Sequence, residues 1–206
     1  MRKAMFGVPL LTAAWLAATA PAFAHHPTGG AMPRTLAHGF LSGLGHPILG
    51  PDHLGFVVGI GILSAFVARG WLLPIAFLVL GAVGTALHLA AAVIGSAETL
   101  AALSLVALAV AIWRRGRVET AGAVLLAGFG GLIHGYVLAD SIVGAEPSPL
   151  AGYLVGLAVC GTAVSLSARA AVLSVRRSHP LLAERGLAAA PLALVAVALA
   201  AQLWPA

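Results

Sequence analysis

The residues best suited to chemistry lie in a short polar stretch of an otherwise apolar chain. The segment GHPILGPDHLGF, residues 45–56, places His46, Asp52 and His53 beside two prolines. Imidazole combined with carboxylate, without a cluster of thiolates or thioethers, suits divalent transition metals such as nickel, cobalt and zinc. The stretch therefore predicts a metal-ion site, and the ligand types leave the choice among these metals open.

Further histidines and carboxylates fall at a similar predicted depth in the membrane. An ionisable group at that depth is costly, so it usually faces a cavity and marks an ion pathway. The alternative for each residue is structural: a helix-start turn, a hydrogen bond between helices, or a solvated loop carboxylate. We include as candidate metal ligands His38, His88, His134, Asp140 and Glu146.

The prolines predict a broken helix that positions the first motif. On a continuous helix, His46 and His53 would lie about 10.5 Å apart along the axis. Two ligands of one ion must lie closer, because metal–imidazole bonds are about 2.0–2.1 Å long. Pro47 and Pro51 each remove a backbone donor and disfavour helix at the preceding residue. We predict an entry helix through residue 45, a turn over residues 47–50 and a new helix beginning at Pro51, which returns His46 toward Asp52.

Composition places these helices in a lipid bilayer. Of the 206 residues, 61% are apolar and 8% are charged, whereas soluble domains average about 25% charged residues. The mean hydropathy is +1.04. We predict an all-α fold, a polytopic transmembrane helical bundle of about six spans with the first broken near Pro47 and Pro51. The predicted spans are 35–68, 71–94, 99–113 (beginning nearer residue 96), 121–139, 150–168 or beyond, and 187–204.

The N-terminal segment has the pattern of a cleaved secretory signal peptide. Arg2 and Lys3 precede an apolar stretch, and residues 21–24 end in an alanine-x-alanine cleavage pattern. We predict a signal peptide at 1–24, a periplasmic tail at 25–34 and a six-helix transmembrane domain at 35–206. Cys160 is the single cysteine, so an intrachain disulfide is excluded.

The arginines orient the predicted spans. With the mature N-terminus in the periplasm, Arg34 lies outside and all later arginines fall at cytoplasmic ends. These are Arg69, Arg114, Arg115, Arg117, Arg169, Arg176, Arg177 and Arg185. We therefore predict a multi-pass protein of the bacterial inner membrane. Membrane topology also accounts for the net charge of +5 without a nucleic-acid partner.

The first motif resembles that of the HupE/UreJ family of hydrogenase and urease accessory membrane proteins. The shared pattern is HPILGPDHL, residues 46–54, in a first span after a signal peptide. The segment LIHGYVLADSIVGAEPSPL, residues 132–150, fits the family's second motif through His134, Gly135 and Glu146. This sequence departs by having Ile133 where an aromatic residue is expected, and by a longer spacing to Glu146 that leaves Asp140 as the alternative acid. The resemblance covers the mature chain and implies a permease for nickel, or in some members cobalt.

The favoured hypothesis is a secondary permease that imports nickel, or alternatively cobalt, for maturation of hydrogenase- or urease-type metalloenzymes. The ion is cargo, so we expect no permanently bound cofactor. Expected partners are the ion, the bilayer and cytoplasmic nickel chaperones. The chain has no phosphate-binding loop motif and no catalytic nucleophile or acid–base pair, so we expect no enzyme. Alternatives are a membrane haem protein with His88 and His134 as axial ligands, or a metal-binding accessory protein without transport.

Overall fold

The computed structural model describes residues 32–203, which form α-helices joined by short turns. The predicted signal peptide and most of the predicted periplasmic tail lie outside these residues. The helices are α1 Leu36–Leu49, α2 Pro51–Ser64, α3 Leu72–Leu89, α4 Ala97–Trp113, α5 Thr120–Leu138, α6 Pro147–Ser178 and α7 Pro180–Leu203. The predicted class, a helical membrane bundle, is confirmed for the described part of the chain.

The number of candidate spans is smaller than the six predicted. Within residues 32–203, α3, α6, α7 and α5 with its following turn are long and apolar enough to cross a membrane. The bent pair α1 and α2 makes a fifth candidate span. Helix α4 is apolar but has 17 residues, which gives a length of about 26 Å against a hydrocarbon core of about 30 Å.

The structure extends one predicted helix and corrects the start of another. Helix α6 has 32 residues, from Pro147 to Ser178, where the apolar run predicted a span over 150–168 or beyond. Its last turns carry Arg176 and Arg177, which are good helix formers that end an apolar run without ending a helix. Helix α7 begins at Pro180, seven residues before the predicted start at residue 187. Helix α4 begins at Ala97, as expected.

The break in the first span lies at Gly50, and α1 and α2 meet there at 82°. The prediction that α1 ends at residue 45 is wrong, because the helix continues through Pro47 to Leu49. Pro51 has no backbone N–H to continue the ladder, and its ring drives Gly50 to an extended conformation with φ −87° and ψ 110°. Pro51 then occupies the first turn of α2, where proline is favoured.

Helix α2 lies at the centre of three helix pairs. The most extensive pairings join α3 to α5, α1 to α6 and α4 to α7. Several apolar side chains of α2 are almost completely buried in the core of the bundle, including Phe56, Ile60 and Leu63. At the crossing of α1 and α6, a Cβ at Gly43 would collide with the backbone carbonyl of Tyr153. Glycine therefore lets these two backbones approach closely, as in other membrane helix pairs.

Arginines from different segments meet at one end of the bundle. Phe66, just after α2, lies 5.7 Å from the Arg115 guanidinium and 4.7 Å from that of Arg176. Arg115 also donates to the Glu184 carboxylate at 2.8 Å. Arg169 donates to the backbone carbonyl of Ser64 near the end of α2. The helix ends that were predicted to share one membrane face are therefore adjacent in space.

Candidate metal-ion site

Asp52, His53 and His134 form the candidate site. Each offers one ligand atom, and these atoms lie within 4.8 Å of one another. The Nδ1 atoms of His53 and His134 are 2.7 Å apart, and His53 Nδ1 is 3.6 Å from Asp52 Oδ2. The site therefore joins adjacent residues of α2 to a residue of α5 that is distant in sequence.

The first turn of α2 positions Asp52 and His53. A helix N-terminus carries unpaired backbone N–H groups and a partial positive charge, so it stabilises the Asp52 carboxylate. The turn also requires a small residue before it, since a Cβ at Gly50 would lie 2.6 Å from the His53 ring. The Asp52 side chain keeps 20% of its surface exposed, so the carboxylate remains accessible at the edge of a buried site.

His134 is held on three sides in the interior of the bundle. Its side chain is fully buried, and its Nε2 is 3.0 Å from Ser104 Oγ on α4. Ser104 Oγ is also 2.6 Å from the Ala101 carbonyl. The ring of Phe56 lies 4.6 Å from the His134 ring, at an interplanar angle of 34°. These contacts direct Nδ1 of His134 toward His53.

His46 lies beside this group but outside it. Its side chain is buried, and its ring centroid is 6.2 Å from that of His53. Tyr153 of α6 meets the His46 ring edge-on at 6.1 Å and donates its hydroxyl proton to the Leu138 carbonyl. The bend therefore brings His46 close to the site, as the prolines predicted, but not into the set of mutually close ligand atoms.

The remaining candidate residues lie elsewhere. His88 and Asp140 form a separate pair, with His88 Nε2 3.9 Å from Asp140 Oδ1, and the Asp140 side chain is 87% exposed. The ring of Tyr136 packs against His88 at 4.6 Å. His38 and Glu146 are exposed. His38 lies in the first turn of α1, whereas Glu146 directly precedes α6.

Sequence reasoning missed the residues that support the histidines. Ser104, Phe56 and Tyr153 are buried against the imidazoles, yet none is a metal ligand by type. The sequence does carry one signal for Ser104, since it is a hydroxyl in the middle of an apolar helix, seven residues after the start of α4 at Ala97. Phe56 and Tyr153 are ordinary apolar-span residues in the sequence, and helix packing alone distinguishes them.

The ligand geometry suits a divalent cation with incomplete protein coordination. Two imidazoles bound at a right angle to one ion would have nitrogens about 2.9 Å apart, given metal–nitrogen bonds of about 2.0–2.1 Å. The observed 2.7 Å requires only a small outward movement. Three protein ligands leave the other positions to water or to His46.

Comparison with known proteins supports the family suggested by the two histidine motifs. Residues 13–201 match the model of the HupE / UreJ protein family. Protein HupE of Rhizobium leguminosarum bv. viciae is 30% identical over 103 residues, which are 49% of this chain and 54% of that relative. The aligned region thus spans about half the length of the curated relative. No solved structure matches the chain significantly. Because the family model covers most of the sequence, the chain belongs to the HupE / UreJ family.

Proposed function

We propose that this protein is a secondary permease that imports nickel, or alternatively cobalt, across the bacterial inner membrane. The observation that carries the proposal is the convergence of Asp52, His53 and His134 at a helix break inside a membrane bundle. Non-helical backbone at membrane depth is tolerated where it lines a protein-enclosed or wet cavity, and transporters use such breaks as ion sites.

The form of the site favours a transported ion over a haem. Both ring nitrogens of His134 already face polar partners, at 2.7 and 3.0 Å. The cavity that adjoins His53 has a volume of about 110 Å³, well below the roughly 300–1,000 Å³ of small-molecule sites. A single cation needs no such volume. Purified protein with a Soret absorption band would contradict this conclusion and support a membrane haem protein instead.

The coordination favours passage over permanent binding. A conducting site must bind an ion well enough to accept it and weakly enough to release it. Two imidazoles and one carboxylate leave part of the coordination sphere open. Phe56 follows His53 along α2, in the direction of the arginine end. Its side chain is fully buried and its ring stacks on that of Phe77 at 5.7 Å. In this conformation an apolar layer separates the site from the arginine end, so import requires the layer to open.

The membrane potential is sufficient to drive import. The sequence contains no phosphate-binding loop for nucleotide hydrolysis. A divalent cation that moves inward gains about 4.6 kcal/mol per 100 mV. We place the mature N-terminus and the histidines on the periplasmic side and the arginines on the cytoplasmic side. Cytoplasmic nickel chaperones for hydrogenase or urease maturation would receive the ion, and the protein itself would perform no enzymatic reaction and hold no permanent cofactor.

Uptake of radioactive nickel by cells that lack other nickel importers tests the proposal. The informative variant is Asp52→Asn, which removes the carboxylate charge and preserves side-chain size. We expect uptake to fall by about 10-fold or more, since the site loses its anionic ligand. Cobalt competition in the same assay ranks the two metals.

A matched control is Glu119→Gln, which removes one exposed carboxylate charge directly before α5. Its uptake should equal that of the wild type when both proteins reach the membrane in equal amounts. Equal uptake by wild type and Asp52→Asn would refute the site. Wild-type uptake no higher than in cells without the protein would refute the permease function.

A further inference from the structure

Ser104 connects the candidate site to a helix that contributes no metal ligand. Its side chain is buried in α4, and its Oγ has two polar neighbours. One is the Ala101 carbonyl at 2.6 Å, and the other is His134 Nε2 at 3.0 Å. On the opposite edge of the same imidazole, Nδ1 faces His53 at 2.7 Å. Ser104 and His53 therefore hold the two nitrogens of one ring.

The donors and acceptors in this chain determine which nitrogen carries the proton. A carbonyl oxygen only accepts, so the Ser104 hydroxyl uses its single proton on Ala101. Oγ can then only accept from His134, which requires the proton of a neutral imidazole to be on Nε2. Nδ1 of His134 consequently presents a lone pair toward His53 and Asp52. A metal ion binds that form of the ring nitrogen.

We propose that Ser104 is a positioning residue that keeps His134 in the Nε2-protonated tautomer, with Nδ1 ready to accept the transported ion. This inference rests on the proposed function for the identity of the ion, but its structural part concerns His134 alone. Histidine ligands commonly donate their second N–H to an oxygen that fixes tautomer and ring orientation. Here the oxygen is a serine hydroxyl that is itself oriented by its own helix backbone.

The packing around His134 leaves this role to Ser104. Phe56 covers the ring face at 4.6 Å and restricts its tilt, but an aromatic ring offers no acceptor in the imidazole plane. His53 faces the other nitrogen. Loss of the Ser104 hydroxyl would therefore leave the ring in place while removing the oxygen that favours a proton on Nε2.

Nitrogen NMR of protein labelled with ¹⁵N-histidine tests the tautomer directly, because protonated and unprotonated imidazole nitrogens resonate far apart. The His134 signals are identified by their loss in His134→Gln. In metal-free wild-type protein we expect a protonated Nε2 and an unprotonated Nδ1. In Ser104→Ala we expect signals shifted toward a mixture of the two tautomers, and Ser104→Thr, which keeps the hydroxyl, should restore the wild-type pattern. A protonated Nδ1 in the wild type, or an unchanged pattern in Ser104→Ala, would overturn the proposal.

Nickel affinity of the purified protein, measured by equilibrium dialysis, gives the functional readout. We expect Ser104→Ala to weaken binding by about 10- to 100-fold, and Ser104→Thr to recover most of it. The control is Ser64→Ala, because Ser64 is equally buried and its Oγ donates to the carbonyl three residues earlier, at 2.7 Å, without contacting a histidine. Its affinity should match that of the wild type.

The two readouts separate the two proposals. Wild-type protein that keeps the expected tautomer but binds no nickel would refute the proposed function and leave the role of Ser104 in orienting His134 intact. Equal nickel affinity in the wild-type and Ser104→Ala proteins would refute the role of Ser104 and leave the proposed function intact. A loss of affinity shared by Ser64→Ala would show a structural effect and would also count against the proposal.

Discussion

The candidate residues divide into two groups by how closely their ligand atoms approach one another, and that separation determines what each group can contribute. Asp52, His53 and His134 have ligand atoms close together and largely removed from water. Under the proposed function, their mutual distances would control how tightly an ion is bound. His88 and Asp140 form a looser pair, with most of Asp140 in solvent. A charge in that position acts mainly by attracting cations to the entrance, and salt screens that attraction.

This difference predicts the behaviour of Asp140→Asn and His88→Gln. Asp140→Asn should reduce the initial rate of nickel uptake several-fold at low ionic strength and low nickel concentration, because it removes the anionic charge of the pair. His88→Gln removes no anionic charge and should change the rate less. The deficit of Asp140→Asn should shrink as salt is added, because it is electrostatic in origin. Nickel affinity of the purified proteins should stay at the wild-type value. A large loss of affinity in either variant would instead place that residue among the ligands of the buried ion.

The bend between α1 and α2 is the element on which the site depends. Gly50 and Pro51 end one helix and start the next at 82°. The second helix therefore begins inside the bundle, with its N-terminal dipole and Asp52 directed at the site. A straight helix would point no N-terminus toward these histidines. The break thus contributes both geometry and local electrostatics.

Gly50→Ala tests the bend without altering any ligand. The backbone conformation at residue 50 is open to alanine, but the new Cβ would lie 2.6 Å from His53 Cδ2 and 3.3 Å from Asp52 Oδ1. We expect the His53 ring to be displaced and nickel affinity to fall by about 10-fold, the lower end of the loss expected when a ligand's orientation is disturbed.

Gly122→Ala is the matched control, since an added Cβ there meets nothing within 4 Å. Both variants should show similar thermal unfolding when followed by circular dichroism. Retention of wild-type nickel affinity in Gly50→Ala would mean that the His53 position is not limiting. Unfolding of Gly50→Ala alone would show that the bend serves stability rather than ligand placement.

The whole molecule is organised as paired helices with chemically different ends. At one end, Arg115 and Arg176 surround Phe66, and Glu184 pairs with Arg115. Near the other, the Tyr136 hydroxyl binds the backbone around Ala92 in the loop after α3. The positive-inside tendency assigns the arginine end to the cytoplasm. An ion that enters from the histidine side would then move down the membrane potential.

Cysteine labelling tests this orientation. In a Cys160→Ala background, single cysteines replace Gly95 and Gly116, which lie in exposed turns at opposite ends of α4 and where an added Cβ meets nothing within 4 Å. We expect a membrane-impermeant thiol reagent to label Gly95→Cys in intact spheroplasts, because the proposed orientation places this turn on the periplasmic side. Gly116→Cys should be labelled only after permeabilisation. The reverse pattern would invert the proposed direction of import.

The sequence by itself determined the features that depend on short stretches of chain. Continuous apolar composition specifies a membrane bundle, and the missing N–H and ring of Pro51 specify a helix start whatever surrounds them. These local rules also place an acid and a histidine in the first turn of α2. They were less reliable for the end of α1, since Pro47 is accommodated within the last turn, and for the start of α7 at Pro180, which precedes the predicted span.

The tertiary structure alone decided which residues meet. Hydropathy gives the depth of a residue in the membrane but not the rotation of its helix, so His88 and His134 appeared equivalent in the sequence. Packing turns His134 toward Asp52 and His53, while His88 faces Asp140 and Tyr136. Rotation depends on the close approach of helix backbones and on buried rings such as Phe56, contacts between residues far apart in the chain. The contact between Ser104 and His134 arises in the same way, since it joins α4 and α5, and the local sequence of neither helix predicts it.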